Sequence, residues 1–240
     1  MMVNAAIQDA LERIAQRAAD VQRAFTPGAI PQFGDVATAS AAARPALDPL
    51  SVTAPPDAYF VTTDERGRTA YTRDGGFTLH SGTLVGENGR AILGYVMHNG
   101  AASELRVDAV DEALGRVQDL RIETDGTLAY DRTVIDPRSG ARERERVAVG
   151  QVALARFTAA TKLNAVDANH VIPPPGTLPH LGRAGDGNFP RVTPMQREQS
   201  RIDFDRSLDR LEEAYVAFDA LQAVHKVQGS TGKTAMDLLK

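Results

Sequence analysis

Tyr71-Thr72-Arg73-Asp74-Gly75-Gly76-Phe77-Thr78-Leu79, followed by Gly82-Thr83-Leu84-Val85, Asn88-Gly89 and Ile92-Leu93-Gly94-Tyr95, decides the fold. Short runs rich in aromatic and β-branched residues alternate with Asp74-Gly75, Ser81-Gly82 and Asn88-Gly89. Such dipeptides supply the positive φ that tight hairpin turns require. The stretch therefore predicts successive strands joined by tight turns, the signature of an antiparallel sheet.

The same reading extends outward over residues 57–157, the expected β-domain. Strands are predicted at Tyr59–Thr63, Thr69–Arg73, Phe77–His80, Ile92–Met97, Glu104–Val107, Asp119–Glu123, Thr127–Asp131 and Arg146–Phe157. Arg66-Gly67, Asn99-Gly100, Asp125-Gly126 and Ser139-Gly140 supply further turns. Close, regular spacing of short strands argues for an antiparallel β-fold over a βαβ sheet. The alternating charges from Arg142 to Arg146 read as a solvated hairpin tip.

Each end of the chain reads differently. In residues 1–26, Ile7, Leu11, Ile14, Ala18, Val21 and Phe25 recur at spacings of four and three, which places them along one helix face. Thr26-Pro27-Gly28 stops that helix. In residues 201–240, Leu208, Leu211, Tyr215, Phe218 and Leu221 mark a second seam, with acidic residues in its first half, where the helix dipole favours them. Gly229-Ser230-Thr231-Gly232 is expected to break this helix. A seam of about three heptads is marginal alone in water and needs a partner. The simplest arrangement pairs the two helices as a coiled coil, or packs them on helices of neighbouring subunits.

Between these parts, residues 27–56 read as a Pro/Ala-rich linker. Pro27, Gly28, Pro31, Gly34, Pro45, Pro49, Pro55 and Pro56 bar long helices and central strands. Residues 158–200 read as an irregular connecting segment, marked by Pro173-Pro174-Pro175-Gly176. The expected fold class is mainly β with helical termini.

Composition narrows the function classes. Net charge is −4 and no basic stripe stands out, against nucleic-acid binding. The chain has no cysteine, which excludes disulfides and thiol chemistry. No apolar run reaches the roughly 18 residues of a membrane span, so no membrane insertion is expected. Met1 to Asp20 lacks the apolar core of a secretory signal, so any export must use a route without a cleaved leader.

No constellation supports catalysis. Gly229 to Thr234 ends like a phosphate-binding loop, but Val227 stands at the leading glycine position and the segment follows a helix rather than a strand. His80, His98, His170, His180 and His225 show no metal-ligand spacing, and no catalytic, cofactor or metal residue is assigned. Asp64, Glu65 and Asp74 read as turn residues.

The motif residues Tyr71, Arg73, Asp74, Gly75, Phe77, Leu84, Gly89 and Gly94, with Leu120 to Leu128 and Gly150, Gln151 and Phe157, resemble the β-domain signature of bacterial flagellar rod and hook proteins. The resemblance covers roughly residues 58–170, and the N-terminus departs from the family pattern. It implies a non-enzymatic subunit that polymerises into an axial tube, with the helices innermost. The small β-domain favours the basal-body rod over the hook or another axial paralogue. Implied partners are copies of itself, other flagellar axial proteins and the flagellar type III export apparatus, and the implied location is the periplasmic rod. Ile7, Leu11, Ile14, Val21, Phe25, Leu208, Leu211, Tyr215, Phe218 and Leu221 would then form the assembly interface. From a different class, a β-rich binding module whose helices simply pack on its sheet fits the same elements.

Overall fold

A computed structural model describes residues 2–29, 42–96, 100–135, 140–159 and 161–237. The chain begins with α1 (Met2–Arg23), β1 (Ala43–Pro45), β2 (Val52–Thr53), β3 (Ala58–Thr63), β4 (Thr69–Thr72), β5 (Phe77–His80) and β6 (Thr83–Gly86). It continues through β7 (Ala91–Val96), β8 (Ala102–Glu104), α2 (Ala109–Ala113), β9 (Gln118–Ile122), β10 (Thr127–Ile135) and β11 (Arg142–Arg156). It ends with β12 (Asn164–Ala165), β13 (His170–Ile172), β14 (His180–Arg183), β15 (Thr193–Pro194), β16 (Gln196–Glu198) and α3 (Phe204–Asp237). The architecture is thus mainly antiparallel β with a helix at each terminus. Two compact units result, a helical one built from α1 and α3 and a β unit from the described residues between Thr26 and Arg201.

In the β unit, the 15-residue β11 is the spine of a 12-stranded sheet and pairs with β10, β7, β3 and β14. Side chains alternate across a strand, so neighbours on β3 and β11 face opposite ways. Phe60, Val152 and Leu154 join Phe77, Leu84, Ile92, Leu105 and Leu128 in the larger core. Tyr59, Val61, Ala153 and Ala155 join Tyr71 and Val171 in a second core. Both faces being covered, all six residues of β3 are buried.

The Ser81–Gly82 turn between β5 and β6 has positive φ at both residues, as a two-residue hairpin with the right twist needs. Asp74–Gly75 does not behave this way. Gly75 is not among the positive-φ glycines, β4 pairs with β3 and β13, and β5 pairs with β6. The expected tight turn is instead a buried connection, because a long-range ionic contact claims its side chains.

Three other expectations change. Residues 158–200 carry five short strands, β12 to β16, which pair back onto β4, β11, β2 and β1. Of the expected linker 27–56, residues 30–41 lie outside the described residues, and Leu50, Val52 and Ala54 sit in the larger core. Prolines there tolerate pairing because β1 and β2 each make only a two-stranded sheet. Finally, α3 continues through Gly229–Gly232 to Asp237. Isolated helix glycines cost only about 1 kcal/mol each, too little to force a break.

The charged run Arg142–Arg146 is the outer half of a paired arm rather than a tip. It extends β11 opposite Asp131–Ile135 of β10, with Arg132 opposite Glu145. Sequence reading also missed α2, whose Asp108 cap accepts from Val110 N (2.9 Å) and Asp111 N (3.1 Å).

In the helical unit α1 packs along α3. Ala10 and Ile14 are buried, with Ile7, Ala18 and Val21 half-buried. On α3 the covered line is Ser207, Leu211, Ala214, Phe218 and Leu221, a regular four-three repeat. Leu11 on α1 and Leu208 and Tyr215 on α3 lie off the covered faces and are exposed, Tyr215 by 50%. Phe25 follows the end of α1 and is 76% exposed, its ring 5.2 Å from that of Phe204.

Candidate functional site

The buried connection after β4 carries a dense polar site of the β unit. Thr72 Oγ1 donates to Asn169 O at 2.7 Å and accepts from Asp74 N at 3.0 Å, which fixes the chain as it leaves the strand. Gly75 and Gly76 then pass where a side chain has no room. A Cβ on Gly75 would lie 1.7 Å from Val52 O, and one on Gly76 would lie 2.5 Å from Arg197 Cζ. Glycine is required here for close approach rather than for φ.

Arg73 and Glu198 are each only 2% exposed. Arg73 Nε lies 2.8 Å from both carboxylate oxygens, and its Nη2 also bonds Glu198. On its other side the guanidinium donates to the carbonyls of Pro55 (3.2 Å) and Ala58. Arg201 Nε completes Glu198 at 2.7 Å. Beside this pair, Asp74 accepts from Arg197 Nε (2.8 Å) and Nη2 (2.9 Å), from Asn169 Nδ2 (2.9 Å) and from Gly76 N (3.0 Å). Arg197 also reaches Glu87. The Asp74 hydrogen bonds raise the Arg197 guanidinium above its ordinary value, and burial only partly offsets them. Gly28 N donates to Glu198 O at 3.2 Å, and Arg201 N donates to Ala29 O at 2.9 Å. The residues after α1 and those before α3 are therefore tied to one hub. Its charges are matched to one another, which suits holding chain segments together rather than attacking a substrate.

Two smaller polar sites support the sheet. The Tyr130 hydroxyl donates to Asp111 Oδ2 at 2.7 Å, and Arg132 Nη1 donates to the same oxygen at 3.0 Å. Burial and that carboxylate push Tyr130 up to about 12. At the Asn88-Gly89 turn, Asp167 Oδ1 lies 2.9 Å from His170 Nδ1, and Asn88 Nδ2 lies 3.2 Å from Asp167 Oδ2.

The other motif residues serve packing. Phe77 meets Phe60 edge-on at 5.0 Å, and Phe157 meets Tyr71 edge-on at 4.9 Å. Leu84 is fully buried. Gly94 and Gly150 let β7 and β11 close around Leu105, and Gln151 Nε2 donates to Asp125 O at 3.1 Å. Gly89 takes positive φ in its turn. Sequence reading found Arg73 and Asp74 but missed Arg197, Glu198 and Arg201, for which no local pattern exists. Asn169 lies at the end of the stretch over which the resemblance runs.

The helical unit offers surface of another kind. Beyond the face covered by α1, α3 exposes Leu208, Tyr215, Val216, Val224 and Val227, with Val216 70% exposed. The backbone runs as helix through Gly229–Thr234, which leaves no loop to cradle a phosphate. Among the described residues, no group of three or more His, Asp or Glu side chains is placed to hold a metal. Nor is any described helix long and apolar enough to cross a membrane.

No curated protein matches the chain. Residues 56–130, from just before β3 into β10, match the family model of the flagellar hook protein FlgE/F/G D1 domain. Over that stretch the chain is similar to the D1 domain of flagellar hook proteins.

Proposed function

We propose that the protein is a structural subunit of the bacterial flagellar basal-body rod and acts by polymerising into the axial tube. The observation that carries this reading is a β segment matching the D1 domain, set between terminal helices that leave apolar side chains exposed. In the assembled state α1 and α3 pair as a coiled coil in the inner tube, and Ile7, Leu11, Ile14, Val21, Phe25, Leu208, Leu211, Tyr215, Phe218 and Leu221 line the contacts within and between subunits. Exposed large apolar residues are costly in an isolated chain and mark partner surfaces. The subunit reaches the periplasm through the flagellar type III apparatus, and its partners there are copies of itself and other axial proteins.

The test is a clean gene deletion in the host, with complementation, scored by electron microscopy of basal bodies. Basal bodies that stall before a complete rod are the expected result, and normal flagella overturn the proposal. In complemented strains, Leu211→Asp or Phe218→Asp is expected to abolish assembly while the purified full-length variant keeps the strand signal of its circular dichroism spectrum. Retained motility in both variants argues against the helical contacts.

A further inference from the structure

We propose that residues 193–201 form a strap that closes on a preformed carboxylate socket at Arg73, with Glu198 as the residue that holds it shut. The strap's attachment is unusual. Its ladders are minimal, two residues of β15 against β2 and three of β16 against β1, both outside the main sheet. Among residues 193–201 only Glu198 is fully buried, and no apolar side chain of the strap is. Met195 takes a φ of 55°, a conformation that costs a residue with a Cβ and opposes docking. Buried Val192 anchors the chain just before the strap, but within residues 193–201 the ionic contacts, not apolar burial, decide whether the segment stays.

The socket exists without the strap. The Pro55 and Ala58 carbonyls orient the Arg73 guanidinium from residues that precede it in the chain. Its Nε and Nη2 face the two oxygens of the Glu198 carboxylate in bidentate geometry, the strongest arrangement for this pair. With the strap undocked, Arg73 is left with only carbonyl partners, and Asp74 loses Arg197. Leaving one member of a buried pair unmatched is strongly unfavourable, which makes closure steep rather than gradual. Among the backbone hydrogen bonds that tie the strap down, the four donated by Gly28, Met195, Gln199 and Arg201 report on the closed state. This device concerns the β unit alone and does not depend on the assembly role proposed above.

Hydrogen exchange by mass spectrometry on the full-length protein tests it. In Glu198→Gln, amides of the segments holding those four donors are expected to exchange about tenfold faster or more, while β3 and β11 keep their rates. Unchanged strap exchange overturns the proposal. So does equal acceleration in β3 and β11, because Glu198 would then belong to one cooperative core. A second variant probes the socket itself. In Glu198→Ala, sodium formate is expected to slow strap exchange again, whereas sodium chloride at equal ionic strength does not. No slowing by formate, or equal slowing by chloride, overturns the carboxylate socket.

Discussion

Arg73 and Glu198 stand 125 residues apart in the chain and meet in the interior of the β unit, Nε 2.8 Å from both carboxylate oxygens. The contact turns a motif that reads as a hairpin turn into the point where the first third of the β unit receives its last strand. A buried pair of this kind adds little over a well-packed apolar pair, but it punishes the loss of either partner.

That asymmetry gives a first prediction. Arg73→Met alone is expected to cost about 3–5 kcal/mol, because Glu198 then either stays buried beside Arg201 without its main partner or leaves the interior with the strap. The double variant Arg73→Met/Glu198→Met is expected to regain most of that loss. Urea unfolding followed by tyrosine fluorescence measures both, and a double variant no more stable than the single one contradicts the account.

The glycines of the motif give a second. Gly75→Ala drives a methyl into the Val52 carbonyl at 1.7 Å, a backbone atom that cannot step aside. Overpacking of this kind costs about 1–3 kcal/mol or more. Gly100 has no atom within 4 Å of its would-be Cβ and no positive φ, so Gly100→Ala is expected to be neutral. Thermal midpoints of the two variants should separate clearly, and equal midpoints would refute the close-approach argument.

On α3 two kinds of apolar residue should behave differently. Leu211→Ala removes a side chain from the face that α1 covers and is expected to lower the stability of the helical unit by about 2 kcal/mol. The triple variant Val216→Ser/Val224→Ser/Val227→Ser alters only exposed positions, so monomer stability should change by less than about 1 kcal/mol. Motility should nevertheless fall, if these residues face neighbouring subunits. Wild-type swimming in soft agar with the triple variant would exclude that face from the contacts.

Acid should act partly through Asp167. Burial raises its pKa, but the hydrogen bond and charge of His170, with the backbone N–H groups of Asn169 and His170, outweigh burial and hold it at about 2. A carboxyl whose folded pKa is depressed contributes stability above its unfolded value near 3.8, and that contribution is lost as pH falls towards 2. Thermal midpoints measured from pH 5 to pH 2 should therefore drop more steeply in the wild type than in Asp167→Asn. Parallel curves would show that the residue is not coupled to folding.

Much of the fold was legible along the chain because hairpins are local. Ser81–Gly82 and Asn88–Gly89 lie next to the strands they join, so their φ requirements appear in adjacent letters. Helix period was equally legible, but its phase was not. Leu208, Leu211, Tyr215 and Phe218 offer apolar residues on neighbouring faces of α3, and packing on α1 covers Leu211 and Phe218 rather than Leu208 and Tyr215. The segment 158–200 looked irregular because its strands are two to four residues long, below the length at which alternation can be recognised.

By itself the sequence determined the class of each part: antiparallel strands where turn dipeptides alternate with β-branched runs, and helices where apolar residues recur at four and three. These are short-range properties, set by backbone sterics and side-chain period. Only the tertiary structure decided that Asp74-Gly75 is a buried hub and that Arg73 answers to Glu198. A charged side chain carries no signal of its partner when that partner lies more than a hundred residues away. What brings the two together is the exclusion of water from the folded interior, where neither charge can remain alone.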